Sequence, residues 1–502
     1  MPCMNKTLKQ GLVAVSGLGA ALWLLSQPAQ ASEKRQGLTA CRLSGVEHEA
    51  WCGVVRRPLD PSRPEAVQID VHFALLPALA RHRKPDPVFF FAGGPGQSAI
   101  DLAGPVSRML AKLSNRRDLV LIDQRGTGRS APLRCAEEAP TRPLADSAGA
   151  SSSASTAALV ARLTACRQVL QKLPYGDLRH FTTWLAAQDT DAVRVALAAD
   201  SVNVVGGSYG TRLALAYARQ FPKALRRAVI DGVAPPDMAL PGSFSTDNQA
   251  ALDAELAACE AEARCRARYP ALRADWQALL AGPPKSVSVA HPVTGTLEHV
   301  TFTRDAVLGM VRAPLYVPAL ASALPLAITE AARGRFEALV GLSLATTGNS
   351  RSGAVAEGLH FSVVCAEDLP RLGQSDDTPG ADFGDSFERL YAQVCADWPR
   401  GSVPKAFYAV PEARSATLVL SGGADPATPP RHAQRVVAAL GTRARHVVVA
   451  QAGHGVMGLA CLRDVVFRFI DAASDDEALK VPADCASAVP RPLAYIPVEA
   501  AK

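Results

Sequence analysis

Ser208 lies in Gly206-Gly207-Ser208-Tyr209-Gly210, with a glycine two residues to either side. Small flanking residues allow a strained turn to lift a serine hydroxyl clear of a sheet, as a nucleophile requires. The run Ser201–Val205 before it reads as a strand and Thr211–Gln220 after it as an alanine-leucine helix. A serine hydroxyl attacks poorly until a histidine takes its proton and an acid holds that histidine. Two later positions fit these partners. Asp425 follows the predicted strand Ala416–Leu420 in Ser421-Gly422-Gly423-Ala424-Asp425-Pro426, and His454 follows His446–Ala450 in Gly453-His454-Gly455. Alone, each has an ordinary reading as a turn cap or a surface loop histidine. Together they stand in the order Ser…Asp…His, each just past a strand. Asp231, at the end of the strand Ala228–Ile230, is the reserve candidate for the acid.

Acyl transfer also needs donors aimed where negative charge develops. The apolar strand Pro87–Phe91 empties into Ala92-Gly93-Gly94-Pro95-Gly96. The N–H of Tyr209, just after the nucleophile, and one from Gly93 or Gly94 are the candidate oxyanion donors. A further strand, Asp118–Ile122, leads into Asp123-Gln124-Arg125-Gly126-Thr127-Gly128-Arg129-Ser130. That loop lacks the G-x-x-x-x-G-K-[ST] pattern of a phosphate loop and reads as structural.

The elements that must position these groups alternate. Antiparallel strands are expected within Trp51–Val55 and Val67–Phe73, then apolar strands alternating with helices on both sides of Ser208, the signature of a parallel sheet covered by helices. Between Pro235 and about Pro399 the alternation stops. Asn248–Ala281 is helical in pattern, Val287–Phe302 reads as a hairpin turning at Thr294-Gly295, and helices dominate afterwards. The expected fold class is therefore α/β, an α/β-hydrolase fold with a mostly parallel sheet, helices on both faces and a large, mainly helical lid inserted before the acid-bearing strand. Expected boundaries are a signal peptide at 1–31, core at 32–235, lid at 236–399, and core with a C-terminal segment at 400–502. The alanine-, serine- and proline-rich stretch 136–160 has too few large apolar residues to pack.

Lys6 and Lys9, the apolar run Gly11–Leu25 and Ala29-Gln30-Ala31 have the pattern of a secretory signal. The run is short for a membrane span. The expected location is exported, periplasmic or secreted, with no membrane association after cleavage. Removing 31 of the 502 residues, with Lys6 and Lys9 the charged ones among them, leaves 471 and lowers the formal charge from +6 to +4. That is too mild to indicate a nucleic-acid partner. Ten of the eleven cysteines remain. An even count in an exported chain reads as disulfides, and no C-x-x-C pair indicates a metal. Connectivity cannot be deduced in principle. The cysteines nevertheless fall into local pairs: 41 with 52, 135 with 166, 259 with 265, 365 with 395 and 461 with 485. No metal or organic cofactor is implied, and nothing signals an oligomeric state.

The glycine-proline-glycine motif at 93–96, the loop 123–130 and the serine motif at 206–210 together resemble the proline iminopeptidase and tripeptidyl aminopeptidase family of α/β-hydrolase serine exopeptidases. With its long lid, its cysteines and a C-terminal segment ending near Cys485, the chain is most similar to the secreted tripeptidyl aminopeptidases. The family usually has a histidine ahead of glycine-proline-glycine, where this chain has Ala92. The resemblance implies an exported serine aminopeptidase releasing N-terminal residues or di- or tripeptides through an acyl-enzyme on Ser208. Its substrate would be a peptide with a free N-terminus. A free α-ammonium is naturally met by carboxylates, and Glu367 and Asp368, just beyond Val363-Val364-Cys365, are the candidates because similar acids follow a cysteine in the family. A carboxylesterase on the same scaffold is the alternative. The intact Ser208, Asp425 and His454 argue against a non-catalytic binding protein, and the serine argues against an aspartyl nucleophile. Activity is expected to rise with pH through about 6.5 as His454 loses its proton.

Overall fold

The computed structural model describes residues 37–135, 153–347, 354–374 and 377–497. The expected signal segment 1–31 and residues 136–152 of the low-complexity stretch lie outside them. From Thr39 onward the chain forms one unit around a nine-stranded sheet, ordered β1-β2-β3-β5-β4-β6-β7-β10-β11. The strands are β1 (Thr39–Cys41), β2 (Ala50–Pro58), β3 (Gln68–Leu76), β4 (Val88–Phe91), β5 (Leu119–Ile122), β6 (Val202–Gly207), β7 (Leu225–Asp231), β10 (Ala416–Gly422) and β11 (Ala444–Val449). A separate hairpin pairs β8 (Lys285–Ala290) with β9 (Leu297–Phe302).

Burial explains why the sheet changes character along its width. β1, β2 and β3 pair antiparallel, and β2 mixes buried and exposed positions as a half-solvated strand should. The six strands from β5 to β11 run parallel. β4, β5 and β10 are buried at every position because helices cover both faces. Val88 and Phe90 pack with Val106 and Phe469 from helices on one face. Phe91, of opposite parity, meets Tyr217 of the helix Tyr209–Gln220 on the other, ring centroids 6.4 Å apart. All parallel strands end at the same edge, so the loops after β4, β6, β7, β10 and β11 converge there.

The segment between β7 and β10 holds helices including Leu240–Ala261, Arg304–Leu315, Glu357–Glu367 and Ser386–Cys395, together with the β8–β9 hairpin. It carries its own apolar core around Leu252, Trp276, Val311, Ile328 and Phe336. An isolated bridge between Val355 and Gln97 ties it to the glycine loop after β4, where the Ala356 N–H donates to Gly96 O at 2.9 Å.

One expectation needs correcting. The stretch read as unpacked to residue 160 becomes helical from Ser153, in the helix Ser153–Leu170. Alanine favours helix strongly, Leu163 and Leu170 are buried, and the Cys135–Cys166 bond holds the helix down. The other disulfides are Cys41–Cys52, Cys259–Cys265, Cys365–Cys395 and Cys461–Cys485, the local pairs expected. Cys365–Cys395 ties the helix Glu357–Glu367 to Ser386–Cys395. Replacing both cysteines by alanine is expected to cost about 2–4 kcal/mol, read as a lower urea midpoint; an unchanged midpoint would remove this bond from the account. Among the described residues, no helix is long and apolar enough to cross a membrane.

Candidate active site

Ser208 joins β6 to the helix Tyr209–Gln220 with φ 55° and ψ −126°, a left-handed conformation rare for a residue with a Cβ. The glycines permit it. A Cβ on Gly206 would lie 2.5 Å from Gly210 O, and one on Gly210 would collide with the Phe91 carbonyl at the end of β4. The turn is fixed from the side as well, because the Ser208 N–H donates to Asp231 O at the end of β7, 2.8 Å away.

The glycine loop after β4 folds over this serine. A Cβ built on Gly93 would be 3.1 Å from the Ser208 Cβ. Gly94 and Gly96 have φ of 110° and 116°, values open to glycine, and Gly94–Pro95 is cis. Tyr209 opens the helix, where the first N–H groups have no intrahelical partner.

Asp425 follows β10 and is buried. It accepts from the Ala427 N–H (2.8 Å), the Thr428 N–H (2.9 Å), the Thr428 hydroxyl (2.8 Å) and Nδ1 of His454 (2.9 Å). Burial would raise its pKa, but the His454 imidazole and these donors outweigh it and hold the carboxyl below its ordinary range. An ionised Asp425 fixes the proton of His454 on Nδ1 and leaves Nε2 to accept. The His454 side chain keeps 19% of its surface exposed, while that of Asp425 keeps none. Burial would lower the His454 pKa, yet the neighbouring Asp425, helped by Asp231, raises it above 6.5.

Asp231, the reserve acid, does something else. Its Oδ2 accepts the N–H groups of Val456 and Met457, both at 2.7 Å, in the loop that carries His454. Its carbonyl meanwhile holds Ser208. Burial pushes its carboxyl up to about 6, against the pull of those two N–H groups. One residue thus braces both the serine turn and the histidine loop. Strand pairing accounts for it: β7 lies between β6 and β10, with Gly207 opposite Asp231 and Leu420 opposite Asp231.

Glu367 and Asp368 are both buried, and each already holds partners within the protein. Asp368 accepts from Arg212 Nη1 at 2.9 and 3.1 Å and from the Leu240 N–H at 3.2 Å. Glu367 accepts the Thr183 N–H at 2.6 Å and its hydroxyl at 2.8 Å, and that hydroxyl in turn meets the Tyr209 hydroxyl at 2.6 Å. Burial pushes Glu367 up to about 7. These acids clamp the inserted helix onto the helix that begins at the serine. Arg212 was the overlooked partner, and a cation inside an otherwise alanine-leucine helix was the signal for it.

The loop 123–130 is held in place by buried side-chain bonds. Asp123 accepts the Ser98 hydroxyl at 2.7 Å, and Arg125 forms two bonds to Asp189 at 2.6 and 2.8 Å. Tyr316, Thr428 and His360 escaped the sequence reading because nothing local marks them. The His454 N–H donates to Tyr316 O at 3.0 Å, and the two rings meet edge to face at 5.2 Å. Among the described residues no group of three or more metal-binding side chains is present.

Residues 86–258 match the family model described as alpha/beta hydrolase fold, and residues 381–480 match that described as TAP-like protein. The chain is 33% identical over 208 residues to serine protease Hip1 of Mycobacterium tuberculosis, covering 40% of this chain and 39% of that protein. It is 31% identical over 198 residues to tripeptidyl aminopeptidase of Streptomyces lividans, covering 37% and 35%. With proline iminopeptidase of Neisseria meningitidis it shares 30% identity over 147 residues, covering 29% and 32%. The chain thus spans about two fifths or less of the length of the curated relatives it matches. The chain has the α/β-hydrolase fold, and over the parts matched it is similar to tripeptidyl aminopeptidase and proline iminopeptidase.

Proposed function

We propose that this hydrolase is an exported serine aminopeptidase, periplasmic or secreted, that releases N-terminal residues or short peptides through an acyl-enzyme on Ser208. The observation that carries this reading is the Asp425–His454 hydrogen bond at the ends of two adjacent parallel strands, beside the strained turn of Ser208. The Ser208 hydroxyl attacks the carbonyl carbon while its proton passes to Nε2 of His454. That proton then goes to the departing amine as the C–N bond breaks, and water repeats the sequence to free the acid. Asp425 holds the tautomer and stabilises the imidazolium. The Tyr209 N–H, with one from Gly93 or Gly94, receives the oxyanion, each donor contributing on the order of 3 kcal/mol. The insertion at 236–399 acts as the lid that selects substrates. Five disulfides support an oxidising compartment.

The test is a matched set of chromogenic amides with free or acetylated N-termini, with a simple ester alongside. Hydrolysis of the free-amine amides alone is expected. Cleavage of the ester with neither amide turned over would replace the reading by a carboxylesterase.

Catalysis by this route needs neutral His454. Because its pKa lies above the ordinary value, kcat/KM is expected to fall off below a midpoint higher than pH 6.5, which moves the sequence-based value upward. Asp231→Asn keeps an oxygen for the Val456 and Met457 N–H groups but removes a negative charge that raises His454. Its limb is expected at lower pH than the wild type's. A pH profile of kcat/KM from 5 to 9 checks both, and coincident limbs would contradict the role given to Asp231.

A further inference from the structure

Arg312, on the inserted helix Arg304–Leu315, is a cation with no acid partner among the described residues. Its Cζ lies 5.0 Å from the ring centroid of Phe387, 5.5 Å from that of Phe244 and 5.8 Å from that of Tyr316. Its one hydrogen bond among the described residues is a long one, from Nη2 to the Tyr316 hydroxyl at 3.3 Å. Among the described residues its hydrogen bonding involves no carboxylate, and its buried Nε has no hydrogen-bond partner. The residue as a whole is only partly buried, although its Nε is covered.

This position is not a remote one. Tyr316, which stacks on Arg312, also meets His454 by ring edge and by backbone. On the other side Phe244 packs on Tyr391, ring centroids 6.4 Å apart. The Tyr391 hydroxyl meets His360 Nε2 at 2.7 Å, and His360 Nδ1 meets Pro95 O at 3.2 Å in the glycine loop over Ser208. Burial pushes His360 down to about 4, so it is neutral and Arg312 is the charged member of this aromatic set, with Glu357 acting on His360 and Asp368 on Tyr391 from outside it. Aromatic faces hold a planar guanidinium in one orientation while leaving its in-plane N–H donors free for a planar acceptor.

We propose that Arg312 recognises a carboxylate of the substrate next to the bond being cut, making acidic or short free-acid peptides the preferred class. This rests on the serine peptidase reading above. The carboxylate comes either from an Asp or Glu side chain in the acyl part or from the free C-terminus of a short leaving peptide.

Two matched pairs separate these sources. One is a tripeptide anilide with Glu or Gln before the scissile bond; the other is a tetrapeptide ending in a free carboxylate or a carboxamide. Wild type is expected to favour the carboxylate member of one pair by about 10- to 100-fold in kcat/KM, mostly through KM, as for a hydrogen bond to a charged group. Arg312→Gln should abolish that preference and leave the neutral member's kcat nearly unchanged. Arg312→Lys, which keeps the charge but loses the fork, should retain part of it. Equal rates within both pairs for wild type, or an undiminished preference in Arg312→Gln, would overturn the proposal. Wild-type rates alone decide the first of these should a variant not fold. Labelling of Ser208 by a fluorophosphonate reports separately on the parent reading. Labelled protein that cleaves neutral peptides without discrimination overturns only the role of Arg312, whereas absence of both labelling and turnover overturns both.

Discussion

Ser208→Ala is expected to lower kcat on a susceptible amide by about 10⁶-fold, with folding unaffected. The turn should survive because its shape is set by Gly206 and Gly210, whose missing side chains let the turn close on itself and the helix start pass the end of β4, and by the bond from the Ser208 N–H to Asp231 O. None of these involves the hydroxyl. Alanine removes the nucleophile and leaves the oxyanion donors, so a small residual rate above water is expected. Asp425→Asn should cost about 10⁴-fold. An asparagine amide would donate where the carboxylate accepts, and His454 would then place its proton on Nε2, facing Ser208. Steady-state kinetics with thermal melts distinguish lost chemistry from lost structure. A Ser208→Ala protein keeping more than about a hundredth of the rate would exclude the acyl-enzyme.

Asp368→Ala is expected to destabilise the protein by about 3–5 kcal/mol. The substitution leaves Arg212 inside the protein with only the longer pairing to Glu367, 3.9 Å from Nη1, since both Arg212 and Asp368 have no exposed side-chain surface. Arg212 Nη2 also donates to Met238 O at 2.8 Å, so its loss of a partner is felt in the chain entering the insertion. The double variant Arg212→Met with Asp368→Leu should recover most of the loss, because removing both charges also removes their desolvation. Urea unfolding of the single and double variants measures this. A single variant within about 1 kcal/mol of wild type would show the pair to be dispensable. The same data bear on function, for this clamp joins the insertion to the helix that starts at the nucleophile.

Much of this architecture was present in local sequence. Runs such as Val88–Phe91 and Leu119–Ile122 are apolar at every position, which only a parallel strand covered on both faces explains. Glycines at fixed offsets from Ser208 announced the turn before it, because no other residue lets two backbones approach so closely. Spacing alone could not fix cysteine connectivity, but the bonds close as the five local pairs, each within a short stretch of chain. What tertiary structure alone decided is which polar groups meet across long separations. Glu367 and Asp368 stood out as acids, but their meaning depended on Thr183 and Arg212, more than a hundred residues earlier. Asp231 was a strand-end acid in the sequence and became a brace because strand order set it between Ser208 and the loop of His454. Arg312 and His360 carried no motif at all. Backbone pattern is written locally because burial on a strand or helix repeats with its period, whereas the partner of a buried charge depends on which distant segments the finished fold packs together.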